Sequence, residues 1–353
     1  MADLVIAGAG MAGLAAAATA RARGADAVVY EKGPRPGGSM LLSSGVIWRH
    51  TSLERFRAEC PDGDPALQRL VHERLDHDLR WLEEVGATAV ERTTANPLTT
   101  GVRFDTTSLT AALVRNAGTI RLDEPLRELY PGVPVILATG GFQANPELVR
   151  EHITPEADAV LLRATPWSTG DGLRLGIEAG ARTTSRLDEL YGRNMPAPPA
   201  RIREIDFVPL AQLYARHATV QGADGAVFSS QTWSEIDVVQ WTARQPQARA
   251  RYRVDRRALD ERVNGRAVAD LVAAAERAGA PVSRGRDEIT VEVVAGITST
   301  LGGLVVDTAA RAAPGIYAAG GDVGGIANGG YASGLAAALV LGRLAAESAL
   351  EGR

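Results

Sequence analysis

Residues 4–31 read LVIAGAGMAGLAAAATARARGADAVVYE. Leu4-Val5-Ile6-Ala7 is a short apolar run of buried-strand type, and Gly8, Gly10 and Gly13 follow it as G-x-G-x-x-G. An Ala-rich helix runs from Ala15 to Arg23, and Ala27-Val28-Val29-Tyr30 reads as a second buried strand ending on Glu31. Strand, glycines, helix, strand and acid stand in the order of a dinucleotide-binding βαβ unit. Gly8 permits the tight turn, Gly10 lets a pyrophosphate approach the backbone, and Gly13 lets the helix pack close to the sheet. The helix N-terminus offers free N–H groups and a positive dipole end to phosphate. A carboxylate at Glu31 can accept both hydroxyls of an adenosine ribose. An ordinary βαβ turn is the competing reading.

Working outward, the chain has 353 residues, 45% of them hydrophobic, which suffices for a large core and two domains. A net charge of −4 with mixed signs gives no sign of nucleic-acid binding. Cys60 is the sole cysteine, so disulfides within the chain and Cys-ligated metal sites are excluded. With the first strand at Leu4, no signal peptide is expected. No apolar run is long enough to span a bilayer, and a cytoplasmic location is the expectation.

After the second strand comes KGPRPGGSMLLSSGVIW, residues 32–48. Its Gly37-Gly38 pair and Ser39, Ser43 and Ser44 suit a loop that wraps a second phosphate and a polyol chain; a plain Gly-Pro turn is the alternative. Leu53 to Val90 reads as helical and amphipathic, with Leu67, Leu70, Val71, Leu75, Leu79, Leu82 and Val85 on one face. His72 and His77 lie five apart, a poor spacing for a shared metal, and read as solvated; no metal site is expected. Further strands are expected at 119–122 and 134–138, the latter ending in Thr139-Gly140-Gly141-Phe142. Thr169-Gly170-Asp171-Gly172 opens a helix at 173–179, which Asp171 can cap. Residues from Arg186 to about Val294 are richer in Arg, Pro, Trp and Tyr and lack the βα rhythm, as an inserted domain would, with helices near 234–242 and 267–278. The first style then returns with TSTLGG, the strands 304–306 and 315–319, Gly320-Gly321-Asp322, a glycine-rich stretch to Tyr331, and an Ala-rich helix at 334–350.

Taken together, GAGMAG, Glu31, GGSMLLSSGVIW, LATGGF, TGDG, LGG, GIYAAGGD and Tyr331 before a glycine-started helix make a chain that resembles FAD-dependent oxidoreductases of the fumarate reductase and 3-ketosteroid 1-dehydrogenase type. The resemblance runs in order from residue 4 to residue 350 and is weak in the middle third. It implies an α/β fold: a Rossmann-like, glutathione-reductase-like FAD-binding domain at 1–186 and 298–353, with an inserted α+β substrate or cap domain at 187–297. Only about a dozen residues separate Leu122 from Pro134, so the family's β-meander is expected to be reduced or missing. FAD is the implied cofactor. No His follows the GGS loop, so its binding is expected to be non-covalent. Its implied contacts include Ala12, Glu31, Gly38, Ser39, Gly45, Asp171 and Asp322. With these go Gly8, Gly10, Gly13, Lys32, Gly37, Ser44, Thr139, Gly140, Gly321, Gly334 and Leu335. Asp322, after a buried strand, can also be read directly as an acceptor for a ribityl hydroxyl. The helix starting at Gly334 would point its positive end at the flavin.

The chain departs from the fumarate reductase pattern where that pattern binds a dicarboxylate. Thr298-Ser299 replaces a His pair, Tyr191-Gly192-Arg193-Asn194 replaces His-Pro-Thr, and Tyr331 aligns with an Arg. No arginine stands near Phe228 to Glu235, where that family takes its proton donor. Tyr331 instead resembles the tyrosine that ketosteroid dehydrogenases place on a substrate carbonyl, and the Gly334 amide can donate a second hydrogen bond. The expected activity is α,β-dehydrogenation of a ketone, or the reverse enone reduction, on a hydrophobic, ring-shaped substrate, with an unidentified electron acceptor or donor. The expected acid or base is Tyr191 with Arg193 beside it, then Tyr214 with Arg216; a tyrosine base needs such a positive neighbour. Packing alone also accounts for each tyrosine. His50 and His217 are weaker candidates, and Trp48, Trp167, Trp233 and Trp241 suit either a pocket lining or the core. A flavin-dependent reductase of a small unsaturated carboxylate and a non-catalytic flavin-binding protein are the alternatives.

Overall fold

The computed structural model describes residues 2–94, 96–229 and 235–351, and the chain forms two compact units. The first comprises Met1–Asn145, Thr165–Glu189 and Ser299–Arg353; the second comprises Pro146–Ala164 and Leu190–Thr298.

At the centre of the first unit lies the strand Leu4–Ala7, every residue of which is buried. It pairs in parallel with Ala27–Tyr30 on one side and Val135–Leu137 on the other. The full order is Arg311–Ala313, Ile316–Ala318, Val135–Leu137, Leu4–Ala7, Ala27–Tyr30, Thr119–Arg121, and only the outermost pair, Arg311–Ala313 with Ile316–Ala318, is antiparallel. Continuous apolar strands of this kind are what a sheet covered on both faces requires. The helix Met11–Ala22 carries Ala where it meets the helix Gly334–Glu351, and a Cβ at Gly342 would collide with the backbone of Ala12. Small residues thus set a close helix crossing above the glycine turn. Residues 122–134 form no strand, so the chain passes directly from one sheet strand to the next without a meander.

The expected single helix over 53–90 is two helices, Leu53–Glu59 and Pro65–Glu84, followed by the strand Ala89–Glu91. The break falls at Cys60-Pro61-Asp62-Gly63-Asp64, where Pro61 removes a backbone donor and Asp64 caps the second helix by accepting the N–H groups of Ala66 and Leu67. Val90, read from sequence as helical, belongs to an antiparallel three-stranded sheet with Thr99–Phe104 and Val46–His50. Deeper in this unit, Asp78 forms a buried ion pair with Arg343, whose guanidinium lies 4.3 Å over the Trp81 ring.

The second unit is α+β. Its antiparallel sheet runs Thr219–Gln221, Arg249–Asp255, Glu288–Thr300, Val282–Arg284, with Leu161–Leu162 and Leu190–Pro196 also pairing on the long strand. The helices Ile236–Ala243 and Val268–Arg277 accompany it, and Trp233 and Ser234 lie outside the described residues. Tyr214, Tyr252, Val254, Leu271 and Val291 form its core. Pro146–Ala164 belongs here rather than with the first unit, for two reasons. Leu161–Leu162 pair in parallel with Gly296–Ile297, and Thr154 Oγ1 donates to Ala243 O at 2.7 Å. Residues 187–189 stay with the first unit.

Candidate functional site

Gly8 sits at φ +102°, in the left-handed region that glycine alone adopts cheaply. A side chain at Gly13 would strike the Gly8 carbonyl, so Gly13 keeps the helix against the strand. Gly10 differs from both: its φ is −80° and a Cβ there would meet no atom within 4 Å. The turn therefore presents bare backbone with room beside it. The second glycine loop folds onto the first, with Gly37 N donating to Ala9 O at 2.7 Å. A Cβ at Gly38 would lie 3.1 Å from Gly10 Cα. Two phosphate-type loops, far apart in the reading frame, thus share one wall.

Glu31 is buried and fastens this wall. Its Oε2 accepts the Ala9 N–H and its Oε1 the Gly33 N–H, each at 2.7 Å. Burial raises its carboxyl above the ordinary range, while the backbone N–H groups pull it back. Lys32 Nζ reaches Thr169 Oγ1 at 2.6 Å and Asp171 Oδ2 at 2.9 Å, tying the strand end to the helix Asp171–Glu178. Ser39 Oγ accepts the Thr165 N–H at 3.2 Å, Ser44 is exposed, and Gly45 turns at φ +72°.

Asp322, the candidate acceptor for a ribityl hydroxyl, also holds the surrounding loops. Its oxygens accept Thr139 N, Thr139 Oγ1 (2.9 Å) and Gly141 N (3.1 Å), and Gly172 lies against the carboxylate. The group is 1% exposed, and burial raises its pKa. Asp322 therefore locks the loops at 139–141 and 171–172 to its own, with Gly321 pressed on Gly140. Gly320 lies beside Ala12, on the glycine-turn helix.

Gly334 starts the last helix, exposed, and a Cβ there would meet nothing within 4 Å. Ser333 Oγ accepts the Ala336 N–H, and Leu335 is half-buried. Tyr331 precedes this helix. His50 Nε2 lies 3.1 Å from the Tyr331 carbonyl oxygen, and the Tyr331 ring stands edge-on to Trp48 at 5.1 Å. Burial lowers the His50 pKa, so the neutral ring donates its Nε2–H to that carbonyl. The glycine-rich loop before Tyr331 is clamped by Glu189. Its carboxylate accepts Asn328 Nδ2 (2.7 Å) and Gly329 N (3.0 Å) and pairs with Arg186. Neither His50 as a support for Tyr331 nor Glu189 carried a recognisable sequence signal.

The other catalytic candidates lie in the second unit. The Arg193 guanidinium sits 5.0 Å over the Tyr191 ring, so these two are brought together. Tyr214 is a correction. It is fully buried, donates to Gln212 Oε1 at 3.0 Å and stacks edge-on to Tyr252, and burial pushes its phenol further up. A phenol so placed is a core residue and is not available as a base. Trp167 covers Gly33 in the first unit, while Trp241 packs on Phe228 in the second. Cys60 is buried, its thiol pushed up to about 12, and is no nucleophile. Among the described residues no group of three acidic, His or Cys side chains is placed to hold a metal, and no helix is long and apolar enough to cross a membrane.

The bare backbone at Gly10 and Gly334, the paired glycine loops and the buried acid between them fit a bound dinucleotide with a flavin. Comparison with known proteins agrees. Residues 3–151 match the family model described as FAD dependent oxidoreductase. NADH:fumarate oxidoreductase of Klebsiella pneumoniae (strain 342) is 28% identical over 233 residues, 51% of this chain and 25% of that protein. The match thus spans about a quarter of that relative's length. The open conformation of a flavocytochrome c3 fumarate reductase superposes with a TM-score of 0.74 at 20% identity, covering 99% of this chain and 78% of the other. A 3-ketosteroid delta1-dehydrogenase from Sterolibacterium denitrificans superposes with a TM-score of 0.74 at 14% identity over 100% of both chains. At such identities the superpositions establish a shared fold.

Proposed function

We propose that this chain, whose residues 3–151 carry an FAD-dependent oxidoreductase domain, oxidises a CH–CH bond beside a ketone or reduces the corresponding enone. FAD, bound non-covalently, supplies hydride acceptance or donation. The rest is the work of side chains and backbone. The N–H groups of Gly8, Ala9 and Gly37 are taken by Tyr30 O, Glu31 Oε2 and Ala9 O, so phosphate is bound by the helix N-terminus that starts after Gly10 and by the backbone at Gly38. Glu31 orders the turn at Ala9 and reaches the ribose. Asp322 fixes the loops that face the isoalloxazine end.

The observation that carries the ketone reading is the mounting of Tyr331. Its carbonyl is held by His50, its ring rests on Trp48, and it lies next to the exposed N-terminus at Gly334. A phenol O–H and a helix N–H directed at one oxygen make an oxyanion-type site for a substrate carbonyl. Aromatic walls at Trp48 and Tyr331 suit an apolar, ring-shaped substrate.

A flavin spectrum that passes into the supernatant after acid precipitation tests the cofactor and its mode of binding. Turnover of cyclic ketones with an artificial electron acceptor then tests the reaction. Tyr331→Phe is expected to lower kcat about 10²- to 10³-fold with FAD content unchanged. Wild-type turnover by Tyr331→Phe would remove the tyrosine from the mechanism. The fumarate-reducing relative supports a second reading, reduction of a small unsaturated carboxylate; turnover of such acids and none of ketones would select it.

A further inference from the structure

Gly33 stands two residues beyond Glu31, and its missing side chain has a visible cause. Its backbone lies outside the left-handed region, so no turn demands glycine there. A Cβ would instead strike Cδ2, Cε2 and Cζ2 of Trp167, so the six-membered ring of the indole rests on bare backbone. Trp167 belongs to the same unit as Glu31 and is half-buried, with part of it still in contact with solvent. Both halves of this contact are fixed by neighbours. Gly33 N donates to Glu31 Oε1 at 2.7 Å, and Gly33 O accepts the Asp123 N–H at 3.1 Å. On the other side Trp167 O accepts the Thr169 N–H at 3.0 Å, and Lys32 Nζ crosses to Thr169 Oγ1 at 2.6 Å and Asp171 Oδ2 at 2.9 Å.

A dinucleotide lies across a βαβ unit in a set order, with pyrophosphate at the helix N-terminus and ribose at the acid that ends the second strand. Here those points are Gly10 and Glu31, so the nucleotide runs from the glycine turn towards the end of the strand Ala27–Tyr30. The base hangs from the ribose on the side away from the phosphates. The chain it meets past Glu31 is Lys32-Gly33, with the Trp167 ring seated on it. The Lys32 ammonium is paired there with the Asp171 carboxylate at 2.9 Å. A paired ammonium and an indole suit an uncharged aromatic ring better than a further phosphate.

We propose that Trp167 is the platform for the adenine of bound FAD: the purine stacks on the indole, and residue 33 is glycine so that the indole has its seat. Stacking of a base on an aromatic side chain is worth about 1–3 kcal/mol by alanine substitution. At about 1.4 kcal/mol per decade this is a roughly 5- to 150-fold change in dissociation constant. Trp167 thereby contributes to how tightly FAD is held and takes no part in the redox step. This role rests on FAD as the cofactor and is independent of the ketone reading.

The test uses the full-length protein freed of FAD and titrated with ADP, with FMN and with FAD. ADP carries the adenosine end alone and FMN the flavin end alone. ADP is expected to change the tryptophan fluorescence of the wild type, and Trp167→Phe is expected to lack that change. Trp167→Ala should weaken ADP and FAD roughly 5- to 150-fold and leave FMN binding as it was. Trp167→Phe, which keeps a ring, should recover most of that loss. Gly33→Ala should push the indole from its seat and weaken ADP and FAD likewise, with Trp167 still present. Wild-type dissociation constants for ADP and FAD in Trp167→Ala would overturn the proposal. So would equal weakening of FMN, which marks a general loss of structure around the site. Turnover enters none of these readouts, so the ketone reading can fail without altering them.

Discussion

Replacing Gly10 by alanine separates folding from cofactor binding. At φ −80° and ψ −169° the position is open to any L-residue, and the added Cβ meets no protein atom within 4 Å. The fold is therefore expected to tolerate it. Loss of glycine entropy in the unfolded chain favours alanine by about 0.4–1 kcal/mol. The poorer helix N-cap costs a few tenths to 1 kcal/mol in return, so thermal stability without FAD should stay within about 1 kcal/mol. The methyl would, however, occupy the space beside the bare turn where a pyrophosphate must approach. Forcing a methyl into a packed contact costs about 1–3 kcal/mol, which at 1.4 kcal/mol per decade is a roughly 5- to 150-fold weaker FAD dissociation constant. The assay is titration of the FAD-free protein, followed by flavin fluorescence quenching, beside thermal melts of the same preparations. Wild-type affinity in Gly10→Ala would refute the placement of phosphate at this turn. A large drop in melting temperature would refute the claim that the space is free of protein.

Three further outcomes test the structure elsewhere. Tyr214→Phe removes one buried hydrogen bond and strands Gln212 Oε1, so urea unfolding should show a loss of about 1–2 kcal/mol with turnover intact; lost turnover with intact stability would return Tyr214 to the mechanism. Asp78→Ala leaves Arg343 buried without its carboxylate partner and should cost about 3–5 kcal/mol, part of which Arg343→Leu in the same chain should restore, both read by urea unfolding. Glu235 binds a proton in the native state up to about pH 7 but releases it near its ordinary 4.5 when unfolded. Its contribution to stability is thus full below about pH 4.5 and lost as pH rises through about 7, on the order of 3 kcal/mol in all. Glu31, Asp78 and Asp322 are also raised by burial and add slopes of the same sign. The difference between wild type and Glu235→Gln isolates the Glu235 share.

Local chemistry made part of this protein legible in its sequence. Gly8 takes a left-handed backbone, Gly13 has no room for a side chain and Gly10 leaves space beside the turn, so the turn, its flanking buried strands and the acid at Glu31 follow from composition and spacing alone. The absence of strands in 122–134 follows from chain length. Those features depend on neighbours within a few tens of residues. The rest depends on which distant groups arrive together, and periodicity carries no record of that. Residues 53–90 keep one apolar face through two helices, so their pattern does not show the break at Pro61 and Gly63. Asp322 reads as a ligand for a cofactor hydroxyl, and its pattern carries no sign that Thr139 and Gly141 also donate to its oxygens. Tyr214 and Tyr191 are equivalent as letters; burial against Tyr252 removes one from reach of any proton, while Arg193 stacks on the other. Glu235 was a residue at the end of an unremarkable segment, and only desolvation, opposed by Arg193 and Arg216, brings its carboxyl to neutral pH. Sequence determines what a residue is able to do; the solvent, charges and donors that folding gathers around it decide which of those things it does.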